Sequence, residues 1–186
     1  MKKEYRNVTR TKKSIKTAFI ELLGEKKTIE RITVGELAAR ADVAKSTFYN
    51  HYSDVYAVAE EFENELLGNL TRVFEEIGQD GAADYSLYIH KIAAVLKDNE
   101  ELYRKVISSP DVRFFLEKLK SILSKRMYAN TETSCLSKDA RERYVQIRFL
   151  TTACVDTLAD YFRGILDVTL DEMIGIVIFL VAQFKK

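Results

Sequence analysis

Residues 33–52 read TVGELAARADVAKSTFYNHY, and the fold of the whole chain turns on this stretch. Thr33 is a strong helix N-cap, and Glu36 stands three residues on, the spacing of a capping box. Val34, Leu37, Ala38 and Ala41 then recur at helical spacing as a short apolar stripe. Asp42 follows where a turn residue able to visit the left-handed region is wanted, and Val43 is expected to anchor the turn in the core. A second short helix is expected from Lys45 to His51. Lys45, Ser46, Thr47, Tyr49, Asn50 and His51 all carry hydrogen-bonding tips, and only Phe48 and Tyr52 look like inward anchors. A helix entering the major groove needs that division, with one apolar edge to hold it and one polar edge for phosphates and base edges. The bland alternative is a solvated surface helix. The joint occurrence of a small-residue helix, a tight turn and an aromatic-polar helix favours nucleic-acid binding.

Composition fits this frame. At 186 residues the chain has room for one large domain or two small ones. A single Pro and seven Gly argue for long helices and an all-α fold. Cys135 and Cys154 lack metal-ligand spacing, and a reducing cytoplasm suits them; Cys154 sits in an apolar run and reads as core. The charged N-terminus does not resemble a signal peptide. The longest apolar run, Ile176 to Ala182, is far short of the roughly 20 residues of a membrane span. Charge is unevenly placed. Residues 1–53 hold twelve Lys and Arg against six Asp and Glu, +6, and residues 54–186 hold seventeen against twenty-two, −5. The basic part is the part with the helix-turn-helix, as phosphate neutralisation requires.

Residues 1–8 are expected to form a basic arm, and Thr9 or Thr11 to cap a helix reaching Gly24. Ile15, Ala18, Phe19, Leu22 and Leu23 form its buried stripe. Lys12, Lys13 and Lys16 lie near its start, as phosphate contacts or as a solvated basic turn. These features, with Phe19-x-x-Leu22-Leu23, Thr33-Val34, Leu37-Ala38, Ala41, Val43 and Phe48-Tyr49-x-His51-Tyr52, make residues 9–58 resemble the DNA-binding domain of the TetR family of bacterial transcription regulators. The resemblance implies a three-helix helix-turn-helix domain over 1–53, followed over 54–186 by an α-helical ligand-binding and dimerisation domain of about six helices. It implies that Thr33 and Tyr49 meet phosphates, that Lys45, Ser46, Thr47 and Asn50 face the groove with Lys45 and Thr47 reading bases, and that His51 orients the helix or reaches a phosphate. Two positions depart from the family: Asp42 stands for the usual turn Gly, and Val55 for a Lys that often contacts phosphate. The tail Tyr161-Phe162-Arg163-Gly164 with Thr169 to Met173 also resembles the dihydroxyacetone-kinase-operon-activator group of low-GC Gram-positive bacteria.

Beyond the motif, Asp54 is expected to cap a helix from Val55 to Ile77, and further helices are expected over Tyr85–Leu96, Glu100–Ser108, Asp111–Tyr128 and Lys138–Ile165, with a last helix after Thr169 that is apolar from Met173 to Phe184. Ser137 and Thr169 are the expected caps of the last two, with Glu172 completing a second capping box. The final helix is apolar nearly all round, so it must be buried all round. The expected cover is a second copy, giving a homodimer through Val155, Leu158, Phe162, Ile165, Ile176, Phe179 and Leu180; the alternative is a central helix within one subunit. Two recognition helices about 34 Å apart would then read a palindromic operator in double-stranded DNA. Family logic adds a small-molecule effector of unspecified class, with a pocket drawn from Phe62, Leu66, Tyr88, Ile92, Phe115, Leu119, Leu150 and Cys154, each of which also reads as ordinary core. No phosphate loop, metal cluster or nucleophile motif stands out, so no enzyme activity and no cofactor is expected. The function expected is a cytoplasmic, homodimeric, ligand-responsive repressor; the alternative is a co-regulator that keeps the fold and acts through another protein.

Overall fold

The computed structural model describes residues 2–78, 85–129 and 136–183. Among them the regular structure is helical throughout: α1 (Lys2–Lys26), α2 (Val34–Arg40), α3 (Lys45–Tyr49), α4 (Val55–Gly78), α5 (Tyr85–Asp98), α6 (Glu100–Ile107), α7 (Arg113–Ala129), α8 (Ala140–Phe162) and α9 (Leu170–Ala182), with 3-10 turns at Ile29–Arg31 and Pro110–Val112. The all-α expectation holds, with three helices in the N-terminal motif and six after it.

Local chemistry sets most helix ends. Asp54 accepts a hydrogen bond from the Ala57 amide at 2.8 Å and so caps α4. Thr169 and Glu172 form the expected reciprocal box at the start of α9, and that box's backbone hydrogen bond holds the Glu172 carboxyl below its ordinary range. At α8 the cap is Asp139 rather than Ser137: its carboxylate accepts from the Arg141 and Glu142 amides, while Ser137 Oγ accepts from the Asp139 amide. A carboxylate there also meets the positive end of the helix. α8 stops at Phe162 because Gly164 takes φ 74°, and the Gly164 and Ile165 amides donate back to Tyr161 and Asp160. Gly164 is thus the terminating left-handed residue of a Schellman turn, not a weak point inside a helix running to Ile165. α1 starts at Lys2, so residues 2–8 are helical and Thr9 and Thr11 lie inside a helix they were expected to cap.

The chain packs as two compact units, one of residues 1–66 and 104–112, the other of 67–103 and 113–186. The sequence places a boundary after residue 53, whereas the first compact unit continues through Leu66 and takes in the short segment 104–112. Its core joins the expected α1 stripe to Ile29, Ile32, Leu37, Ala38, Phe48 and Val58, with the Phe19 and Phe62 rings edge to face at 6.2 Å. Val55 is buried here and is part of the core. Asp111 Oδ2 accepts a 2.7 Å hydrogen bond from the Ile29 amide, fixing the 104–112 segment to the connector between α1 and α2.

In the second unit α5 packs on α9, and α8 on both α7 and α9. Buried Tyr103 stacks near Phe162, with ring centroids 5.8 Å apart, and burial pushes its phenol up to about 12. Buried Lys120 on α7 is held by Asp156 on α8 at 2.7 Å and by Glu117 at 3.1 Å. Thr151 Oγ1 meets Ser124 Oγ at 3.0 Å in the same seam. Such pairing is what keeps a buried ammonium charged.

Candidate nucleic-acid interface and buried cavity

The helix-turn-helix is built from three local devices. Glu36 N–H donates to Thr33 Oγ1 at 3.2 Å, and Glu36 Oε2 accepts from the Thr33 amide at 3.1 Å, closing the capping box. Lys26 Nζ lies 2.6 Å from Glu36 Oε1, and that contact, then the two Thr33 hydrogen bonds, lowers the Glu36 carboxyl to about 2. Next, Asp42 takes φ 55° and its amide and that of Val43 donate to the Ala39 and Ala38 carbonyls at 3.2 and 3.0 Å. This is a Schellman turn made with Asp where Gly is usual. Finally, Phe48 is wholly buried, with the Tyr49 ring edge-on at 5.6 Å and the Tyr52 ring at 5.9 Å. One aromatic anchor thereby fixes the roll of a five-residue helix.

With Phe48 inside, the opposite edge of α3 faces out. Lys45, Ser46, Asn50 and Tyr49, the last 58% exposed, lie on the surface; Thr47 and His51 are half-exposed. Thr33 is exposed at the head of α2. Lys45 lies back across that head. A Cβ on Gly35 would stand 3.2 Å from Lys45 Cε and 3.3 Å from its Nζ. The absence of a side chain at Gly35 therefore leaves the space the Lys45 tip occupies.

The α1 lysines divide. Lys12 Nζ lies 2.6 Å from Glu61 Oε2 and 5.1 Å from the Tyr52 ring centre, and Lys16 bridges Glu61 and Glu65. Burial raises the Glu61 carboxyl, but the two lysines outweigh it and the net shift is downward. Lys12 and Lys16 thus tie α1 to α4, and Lys13 is the exposed member of the three. Arg40 grips Glu25 with both guanidinium nitrogens, at 2.8 and 3.1 Å, and ties α2 to α1. The Arg40, Lys26 and Asp111 contacts have no sequence signature, because each joins residues on separate elements. The glycine at the second position of α2 was the available hint of the Lys45 contact.

In the second unit a cavity of about 90 Å³ lies among α4, α5, α7, α8 and α9. Of the expected pocket residues, Ile92, Leu119 and Cys154 line it. Phe62 and Leu66 belong to the first unit's core, and Phe115 and Leu150 are buried without lining the cavity; the Tyr88 side chain lies outside the described residues, as does Cys135. Burial pushes the Cys154 thiol up. Of the expected pairing residues, Val155 and Phe162 are buried within the unit, and Leu158 lines the cavity with Val155. Ile165, Ile176, Phe179 and Leu180 are exposed, as are Tyr144, Val145 and Phe149 on α8. Among the described residues no three His, Cys, Asp or Glu side chains are placed to hold a metal ion, and no helix is long and apolar enough to cross a membrane.

No family model matches the chain. An uncharacterised HTH-type transcriptional regulator, YxbF of Bacillus subtilis (strain 168), is 33% identical over 49 residues, which is 26% of this chain and 13% of that protein. Solved structures match over nearly the full length. A TetR transcriptional regulator from Streptococcus agalactiae 2603V superposes with TM-score 0.69 at 23% identity, covering 96% of this chain and 97% of its own. A putative TetR-family regulator from Syntrophomonas wolfei gives TM-score 0.75 at 16% identity over 95% of each chain. The dihydroxyacetone kinase operon activator DhaS gives 0.65 at 19% identity, over 94% of this chain and 96% of its own. The fold of this chain is that of the TetR-family transcriptional regulators.

Proposed function

We propose that the chain is a DNA-binding transcription regulator of the TetR family, a homodimeric repressor in the cytoplasm that releases a palindromic operator on binding a small molecule. The observation that carries this reading is the division of α3. Its aromatic anchor Phe48 is sealed in the core, while its polar edge faces out on a helix held by a capped, Schellman-terminated partner. Lys45 and Thr47 read base edges, Ser46 and Asn50 lie in the groove, and Thr33, Tyr49 and Lys13 meet phosphates, with His51 orienting the helix or reaching a phosphate. Lys12 is committed to Glu61 and acts by placing α1. Residues 1–53 carry this function and 54–186 carry effector binding and pairing.

The pairing surface is the outward face of α9, Ile176, Phe179 and Leu180, extended by Ile165 and by the exposed apolar residues of α8. A two-fold axis beside α9 lets the same patch cover itself and sets two copies of α3 to meet successive major grooves.

The test is selection of duplex fragments from the source genome by the purified protein at about 0.1 M salt, where non-specific binding is already weakened. One enriched palindrome, bound by a dimer, supports the reading. A folded dimer that enriches nothing supports the co-regulator alternative, which the buried Val55 in place of a phosphate-binding Lys already favours slightly.

A further inference from the structure

Neither backbone nor helix chemistry calls for the glycine at position 35. Among the described residues the glycine with a positive φ is Gly164, so Gly35 takes a conformation open to other residues. It stands second in the seven-residue α2, where glycine is a poorer helix former than alanine. Packing separates it from the other glycines. A Cβ at Gly68 or Gly175 would meet nothing within 4 Å, and one at Gly24 would make an ordinary contact with Lys105. At Gly35 it would crowd Lys45, 3.2 Å from Cε and 3.3 Å from Nζ, with Thr33 Oγ1 next at 3.9 Å. The side chain that glycine makes room for is therefore Lys45, the exposed first residue of α3. Cations around it are committed: Lys26 to Glu36, Arg40 to Glu25, Lys12 and Lys16 to Glu61. The Lys45 ammonium has no ion-pair partner among the described residues.

We infer that Gly35 is a positioning residue for base recognition: by presenting no side chain it keeps open the place against α2 where the Lys45 stem lies, and so sets the base pair that Lys45 addresses. This role rests on the reading of the chain as a DNA-binding regulator. A side chain longer than Ala at position 35 takes the space of Cε and Nζ, and the stem must turn to another rotamer. Successive base pairs are ~3.4 Å apart along the duplex, less than the sweep of a lysine side chain. Turning the stem is thus enough to carry the ammonium off its base pair. Position 35 acts on specificity through Lys45 and not through a contact of its own.

The test compares Gly35→Ala, Gly35→Met, Lys45→Ala and the double variant of the last two, each in the full chain, on the selected operator and its single-base variants. Met is unbranched, a good helix former and brings no hydrogen-bond donor to DNA. Gly35→Met is expected to cut preference ~5- to 150-fold at the base pair that Lys45→Ala relaxes, and to add nothing once Lys45 is gone. Gly35→Ala moves the lysine tip by a few tenths of an ångström. It is expected to lose less preference and to melt no lower than the wild type, so that specificity falls while stability does not. A glycine kept for the fold alone would show the reverse. Unchanged preference in Gly35→Met overturns the inference, and so does a loss that persists in the Lys45→Ala background, since residue 35 would then meet DNA by itself. A second measurement needs no operator. In the free full chain a nuclear Overhauser contact is expected between the Lys45 ε-methylene and the Gly35 α-protons. A chain that binds its operator without that contact overturns the Gly35 assignment alone; one that shows the contact but enriches no operator overturns the regulator reading, and the role of Gly35 with it.

Discussion

Lys45 and Tyr49 sit four residues apart on one short helix, yet they are expected to do different work. Lys45 has a flexible stem that lies over the head of α2, in the space left by Gly35. Tyr49 is held by its ring against Phe48 with its hydroxyl outward. Lys45→Ala is expected to relax preference at one base pair of each half-site by about 1–3 kcal/mol, whereas Tyr49→Phe weakens all sequences alike; a binding series on single-base operator variants separates the two. Uniform weakening by Lys45→Ala would make Lys45 a phosphate contact. Asp42 is the other residue whose role is set by one angle. At φ 55° a side chain is tolerated and Gly is preferred, so Asp42→Gly is expected to raise stability by up to about 1 kcal/mol and Asp42→Val to lower it by about 1–2, as thermal melts will read.

At the scale of elements, α2 is too short to persist alone and depends on what grips its two ends. Glu36 serves its N-terminus twice, in the capping box and with Lys26. Because folding depresses this carboxyl from 4.5 to about 2, its contribution is fully present above about pH 4.5 and is lost as pH falls toward 2. Melting curves of wild type and Glu36→Gln are therefore expected to differ at pH 5 and to converge by about pH 2. The 104–112 segment is a second grip on the same unit. Removing the charged acceptor in Asp111→Ala leaves the Ile29 amide without its partner, and is expected to cost about 1–3 kcal/mol in denaturant unfolding, although the two residues lie 82 apart in sequence.

At the scale of the whole molecule the bare surface is the outer face of α9. That face presents Phe179, 64% exposed, beside Ile176 and Leu180. Phe179→Glu is expected to yield a folded monomer, since the side chain contributes nothing to its own unit's core, and to weaken operator binding through loss of the second half-site. Sedimentation with circular dichroism checks both parts; a Phe179→Glu protein that still dimerises would place the pairing surface elsewhere.

Much of the fold was legible in the residues alone, for a physical reason. The two capping boxes, the Asp54 cap, the left-handed Asp42 and the α1 stripe depend on partners three or four positions away, and sequence spacing fixes those distances directly, whereas the caps of α1 and α8 were misplaced because several neighbouring hydroxyls and carboxylates compete for each. The outward polar edge of α3 was legible too, because a single buried Phe48 fixes the roll of so short a helix. Tertiary structure alone decided the rest. Lys12 and Lys13 are adjacent and chemically alike, yet one meets Glu61 and the other faces out. On α9 every side is apolar, so periodicity carries no signal for inside and outside, and only packing against α5 and α8 turned Met173 inward and Phe179 outward. The cavity, like the Asp111 contact, exists only where distant segments meet, and no local spacing encodes such a meeting.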